Sequence, residues 1–224
     1  MAKHRKGYFF GTFNPVHNGH LMMATYLFEH TDIGTLYLVV SPDAPFKDTS
    51  KTKLVPLYQR CGLISQCTFR HNEPGKFTKQ IHALDVEKDM PSPTYTSDTL
   101  DHIYSELHHN GKNKPVLVLG ADNFIELAEG RFHNAQHIID TYPIYVFPRD
   151  GYTKKAMELA DKINSENSKA DVFVLFGAPT TNVSSSFIRM EAAAGRDVRF
   201  YVPDKIADTV KYLYGPENDQ IHIP

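Results

Sequence analysis

The feature that most constrains this chain is a ten-residue stretch near its N-terminus, Gly11-Thr12-Phe13-Asn14-Pro15-Val16-His17-Asn18-Gly19-His20. The apolar run Tyr8-Phe9-Phe10 precedes it and reads as a buried strand, and residues 21–28 follow as a helix pattern. The stretch is therefore a small-residue turn that ends a strand and starts a helix. Open α/β sheets bind ligands at such junctions. A helix N-terminus also offers free N–H groups and positive potential to a phosphate.

The rest of the chain keeps the alternation. Further strands are predicted at residues 35–40, 81–86, 116–119, 144–147 and 172–175. Helices are predicted at 56–69, from Ser97 onward, and at 152–164, 184–194 and 206–213, with loops at 41–52 and 90–93. That order implies an α/β fold: a doubly wound, Rossmann-like parallel sheet with helices on both faces. One domain over residues 1–224 is expected, with a core of about 7–214 and a short polar tail.

Composition narrows the function. Lys and Arg number 24 against 26 Asp and Glu. Without a basic field a nucleic-acid partner is not expected, since that affinity comes largely from neutralising phosphates. Small anionic substrates need only local charge. No apolar run approaches the length of a membrane span. Cys61 and Cys67 are spaced for neither a disulfide nor a zinc knuckle, which suits a reducing, cytoplasmic setting.

The chain has no P-loop, no Gly-x-Gly-x-x-Gly and no Gly-x-Ser-x-Gly. Nucleotide chemistry would therefore have to use the first stretch. If His17 and His20 both lie in the first helical turn they share a face, and Gly19 lets an anion approach the backbone. Two imidazole donors there can stabilise charge that grows during phosphoryl transfer. Alone, the pair would also suit a surface or metal role, but no third ligand stands nearby for zinc.

Two further segments carry polar groups suited to a nucleotide. In Val183-Ser184-Ser185-Ser186-Phe187-Ile188-Arg189, Ser184 can cap a helix while Ser185, Ser186 and Arg189 grip a phosphate. In Gly120-Ala121-Asp122, the carboxylate at a strand end can accept from ribose hydroxyls or cap the next helix.

The first stretch resembles the Gly-x-Phe-Asp/Asn-Pro-x-His-x-Gly-His signature of the nucleotidylyltransferase superfamily. The likeness is strongest to bacterial nicotinate-nucleotide adenylyltransferases and runs over most of residues 7–214. Residues 183–189 are similar to that family's Ile-Ser-Ser/Ala-Thr-x-Ile-Arg, and residues 94–100, Thr-Tyr-Thr-Ser-Asp-Thr-Leu, to its Thr-Tyr-Thr-x-Asp-Thr-Leu. The resemblance implies adenylyl transfer from ATP to a pyridine mononucleotide, with Mg²⁺ carried in on ATP. It makes His17, His20 and Arg189 catalytic. Gly11, Thr12, Phe13, Gly19, Lys47, Ser184, Ser185 and Ser186 join them around ATP. Asn14, Thr94, Tyr95, Thr96, Gly120, Asp122 and Phe132 fall to the mononucleotide. Arg60 matches a family arginine on the helix after the loop.

The chain departs from the pattern at three places. Phe46 replaces a usual His beside Lys47, Asn14 stands where nicotinate-specific members carry Asp, and the chain has no Trp. Phe132 takes the place of the family tryptophan; it can stack on a ring but donates no N–H. These departures leave nicotinamide mononucleotide as an alternative acceptor. A non-catalytic nucleotide-binding regulator is the alternative of a different class.

Overall fold

The structure is a computed structural model and describes residues 5–42, 54–68, 79–107 and 114–216. Six strands form one sheet: β1 (Arg5–Gly11), β2 (Ile33–Val40), β3 (Gln80–Leu84), β4 (Val116–Gly120), β5 (Ile144–Phe147) and β6 (Val172–Val174). Their order is β3-β2-β1-β4-β5-β6, and every pairing is parallel. The chain winds outward in both directions from β1 and β4. The expected doubly wound, Rossmann-like sheet is present, and its topological switch point lies between those two strands.

Among the described residues eight α-helices cover the faces: α1 (Asn18–His30), α2 (Leu57–Thr68), α3 (Thr96–Leu107), α4 (Ala121–Ala128), α5 (Ala135–Thr141), α6 (Thr153–Glu166), α7 (Ser185–Ala193) and α8 (Asp204–Tyr214). Strand β4 shows why its sequence reads as an unbroken apolar run. Val116 and Val118 join the core beneath α1, α2, α7 and α8, whereas Leu117 and Leu119 join the core beneath α4, α5 and α6. A strand buried on both faces cannot alternate polar with apolar. Helix α8 contributes Ile206, Ala207, Val210, Leu213 and Tyr214, one apolar stripe at helical spacing.

Three local expectations change. The third strand stops at Leu84, and Val86–Asp89 turns as a 3-10 helix, which brings Glu87 inside at 4 % exposure. Helix α5 was not anticipated; its seven residues are too few to show a helical period. Helix α3 begins at Thr96, one residue before the expected Ser97, and the Tyr95 carbonyl accepts the Thr99 N–H at 3.0 Å. No helix of the described residues is long and apolar enough to cross a membrane.

Candidate active site

The turn between β1 and α1 lies at the C-terminal end of a central strand. Gly11 closes β1, and its carbonyl accepts the Ser41 N–H at 3.0 Å. Phe13 follows at φ 45°, a left-handed conformation that disfavours a residue with a Cβ. Burial holds it there: its ring meets Phe9 edge-on at 5.7 Å and His20 at 5.0 Å. The Asn14–Pro15 peptide is cis.

His17 is the N-cap of α1 rather than a member of its first turn, so the expected pair on one helical face becomes a stack. The two imidazoles lie 3.7 Å apart and 29° from parallel. The His17 backbone N–H donates to His20 Nδ1 at 3.1 Å. That bond makes Nδ1 an acceptor and leaves the proton of neutral His20 on Nε2. Burial lowers the His17 pKa to about 4. Burial, with His17 adding, puts His20 well below the ordinary histidine range. Near pH 7 both rings are neutral. His17 Nδ1 is buried without a hydrogen-bond partner. A Cβ on Gly19 would stand 2.9 Å from that nitrogen and 2.9 Å from Thr181 Cγ2, so this position needs glycine for close approach.

Helix α7 meets the same turn. Ser184 caps it, accepting the Phe187 N–H at 3.2 Å. Ser185 Oγ donates to the Pro15 carbonyl at 2.8 Å, Arg189 Nη1 to the Asn14 carbonyl at 2.6 Å, and Arg189 Nη2 to Ser186 Oγ at 3.1 Å. Serines and guanidinium thus share a face toward the histidine turn. Neither α1 nor α7 has an acidic residue in its first turn, so both positive helix ends remain uncompensated where they converge.

Two residues not expected in this role hold the turn from behind. Arg60 is fully buried on α2 and donates to four carbonyls: Val55 at 2.7 Å, Thr12 at 2.7 Å, Ser41 at 2.8 Å and Pro42 at 3.0 Å. The signal was an arginine on the stripe that buries Leu63 and Ile64. Tyr214, at the end of α8, donates to Asn14 Oδ1 at 2.5 Å, and the Val55 N–H donates to the same oxygen at 3.2 Å. Asn14 is therefore buried, with its side-chain oxygen turned to the protein. Lys47 lies outside the described residues.

Of the residues expected around the mononucleotide, Asn14 lies in the β1–α1 turn, Thr94, Tyr95 and Thr96 lead into α3, and Gly120 and Asp122 stand at the start of α4. Thr99 Oγ1 donates to the buried Glu87 at 3.0 Å. Burial raises the pKa of this carboxyl, and the Thr99 bond offsets part of the rise. Thr96 opens α3. Gly120, not Asp122, is the N-cap of α4; Asp122 stands in the first turn and pairs with Arg149 beyond β5. A Cβ on Gly120 would lie 2.7 Å from Asp122 Oδ1. Phe132 is set apart from the others, packing against the core beneath α4 and α5. Its neighbour His133 is exposed and stacks on Tyr95, ring centroids 4.3 Å apart.

Among the described residues no three His, Cys, Asp or Glu side chains are grouped to hold a metal ion. Cys61 and Cys67 are free thiols, and burial pushes Cys67 up to about 11.

Comparison with known proteins gives the family. The cytidylyltransferase-like family model matches residues 8–191. A probable nicotinate-nucleotide adenylyltransferase of Porphyromonas gingivalis is 31 % identical over 216 residues, 94 % of this chain and 98 % of the relative. Another, of Flavobacterium johnsoniae, is 31 % identical over 206 residues, 92 % and 95 % of the two chains. The Plasmodium falciparum nicotinic acid mononucleotide adenylyltransferase solved with NaAD has the same fold, with a TM-score of 0.65 at 18 % identity over 94 % of this chain and 96 % of that one. With its histidine turn and serine–arginine helix brought together at the switch point, the chain belongs to the cytidylyltransferase-like family and, within it, to the nicotinate-nucleotide adenylyltransferases.

Proposed function

We propose that this protein transfers the adenylyl group of ATP to nicotinate mononucleotide, forming nicotinate adenine dinucleotide and pyrophosphate. The observation that carries this reading is the convergence of two acid-free helix N-termini, the stacked His17–His20 pair and Arg189 on one turn. The names of the relatives at 31 % identity point to the same acceptor.

The acceptor's 5′-phosphate attacks the ATP α-phosphorus in line. The new P–O bond forms as the bond to the β-phosphate oxygen breaks, and pyrophosphate carries away the charge. A phosphate monoester is already a nucleophile near neutral pH, with a second pKa of about 6, so no general base is needed. The chain's task is positioning and charge stabilisation. His20 donates from Nε2. Neutral in the free protein, both imidazoles become better hosts for a proton once a polyphosphate sits beside them, because an opposite charge favours the protonated form. Arg189 and the α7 serines hold the phosphates. The divalent ion, which we take to be Mg²⁺, comes as part of the nucleotide substrate. Two free, half-buried thiols are in keeping with a cytoplasmic protein.

Phe132, partly buried where the family carries tryptophan, keeps nicotinamide mononucleotide in view as the second acceptor. The test is pyrophosphate release from ATP and Mg²⁺ with the two mononucleotides in parallel. Faster turnover of nicotinate mononucleotide supports the proposal; faster turnover of the nicotinamide form keeps the chemistry and changes the acceptor. Release with neither, with ATP still bound, returns the chain to a regulator.

A further inference from the structure

The side-chain oxygen of Asn14 is engaged inside the protein. Asn14 is 3 % exposed, and its Oδ1 accepts the Tyr214 hydroxyl at 2.5 Å and the Val55 N–H at 3.2 Å. An amide oxygen has two lone pairs, and two donors of the protein face this one. Tyr214 is equally deep, at the end of α8, and its ring belongs to the core beneath α1, α2, α7 and α8. Burial raises the pKa of its phenol, and Arg189 and Arg60 offset only part of the rise, so near pH 7 the hydroxyl keeps its proton and remains a donor. The backbone of the same turn is held from α7: Arg189 Nη1 donates to the Asn14 carbonyl at 2.6 Å, and Ser185 Oγ to the Pro15 carbonyl at 2.8 Å. Helix α7 thus grips residues 14 and 15 by their carbonyls, and α8 grips residue 14 by its side chain. His17 follows three residues on.

We infer that Tyr214 is a positioning residue that acts through Asn14: the side chain at position 14 is the anchor by which α8 sets Arg189 and the histidine turn, and it does not sort one acceptor from another. The inference rests on the adenylyl-transfer reading given above and deepens it at that site. What Tyr214 and Val55 require is an acceptor oxygen, and an amide and a carboxylate both supply one. Arg189 and Arg60 lie near enough to act on the Tyr214 phenol, so a carboxylate in place of the amide would have cationic neighbours, which favour its charged form. Exchange of Asn for Asp here changes how the turn is anchored and leaves the acceptor's surroundings alone.

The test is a double-mutant cycle of Tyr214→Phe, which keeps the ring and removes the hydroxyl, with Asn14→Ala, which removes the oxygen. Thermal melts establish that each variant is folded. In Tyr214→Phe we expect kcat to fall about tenfold, the loss of one buried hydrogen bond, with KM for either nucleotide within about twofold of the wild type. The double variant should turn over no more slowly than Asn14→Ala alone. A wild-type kcat in Tyr214→Phe, or a further tenfold loss on top of Asn14→Ala, overturns the positioning role while adenylyl transfer stands. Asn14→Asp tests the other half. The ratio of kcat/KM for nicotinate over nicotinamide mononucleotide should stay within about twofold of the wild type, and a change of about tenfold makes position 14 a sorting residue after all. NMR of the free protein reads the anchor without turnover. The His17 and His20 ring signals should move in Tyr214→Phe, which supports the anchor even if the wild type proves inactive and only the reaction fails; unmoved signals overturn it.

Discussion

The two ends of this site are built on opposite principles. The phosphate end, at the β1–α1 turn and α7, is buried and cross-linked: Arg60, Tyr214, Ser185 and Arg189 all bond backbone or side-chain oxygens of residues 12–15. The end we propose for the acceptor, at α3, α4 and α5, is held by half-buried to exposed pairs, Tyr95 with His133, Asp122 with Arg149 and Asp101 with His137. Charge divides the same way. Helices α1 and α7 have no acid in their first turns, whereas α3 carries Asp98 there and α4 carries Asp122. Transition-state stabilisation needs donors that do not reorganise, so rigidity belongs where phosphorus is attacked. Discrimination between acceptors needs only a few kcal/mol and can sit on a surface that changes without disturbing the fold.

If that contrast is right, the largest effect comes from behind the turn. Arg60→Ala leaves four buried carbonyls without their donor and opens a cavity, and we expect a loss of about 3–5 kcal/mol in denaturant unfolding. A loss under about 1 kcal/mol would mean that the turn is not held from α2. Next stands His20→Ala. Removing one preorganised donor typically costs about 10²–10³ in kcat, and the melting temperature should move far less than in Arg60→Ala. Near-normal turnover in the variant would remove His20 from the chemistry.

How much of this was legible beforehand follows the same divide. The histidine turn and the α7 serines could be read because their residue types and spacing are local; Ser184 caps its helix as expected. What could not be read depends on contacts far apart in sequence. Tyr214 reaches Asn14 across 200 residues, and Arg189 reaches it across 175. Nothing local distinguishes Tyr214 from any other aromatic on an apolar helix face.

The histidines also make a pH prediction. A buried His17 with a pKa of about 4 is lower in the folded chain than in the unfolded one, where the ordinary value of about 6.5 applies. Between those values the unfolded chain binds more protons, so this contribution is complete above about pH 6.5 and is lost as pH falls toward 4. The loss is on the order of 3 kcal/mol. His17→Gln should flatten that part of the unfolding free-energy profile, and NMR titration of the free protein should find His17 with no midpoint near 6.5. A normal midpoint would place the ring in water and undo the contrast between a buried and an open end.

The smallest effect is expected at the acceptor end. Asp122 and Arg149 are joined by an ion pair whose arginine is 60 % exposed, so solvent screens it. Arg149→Ala should change stability by less than about 1 kcal/mol. It frees a carboxylate that stands at the end of β4, next to β1, where a ribose hydroxyl could be received. The variant should therefore separate binding from folding: an unchanged denaturation midpoint with an altered KM for one of the two nucleotides. If stability falls as far as in Arg60→Ala, the pair is structural and the acceptor end is as tightly built as the phosphate end. If neither stability nor either KM moves, Asp122 and Arg149 lie outside the site, and the acceptor's contacts rest on α3.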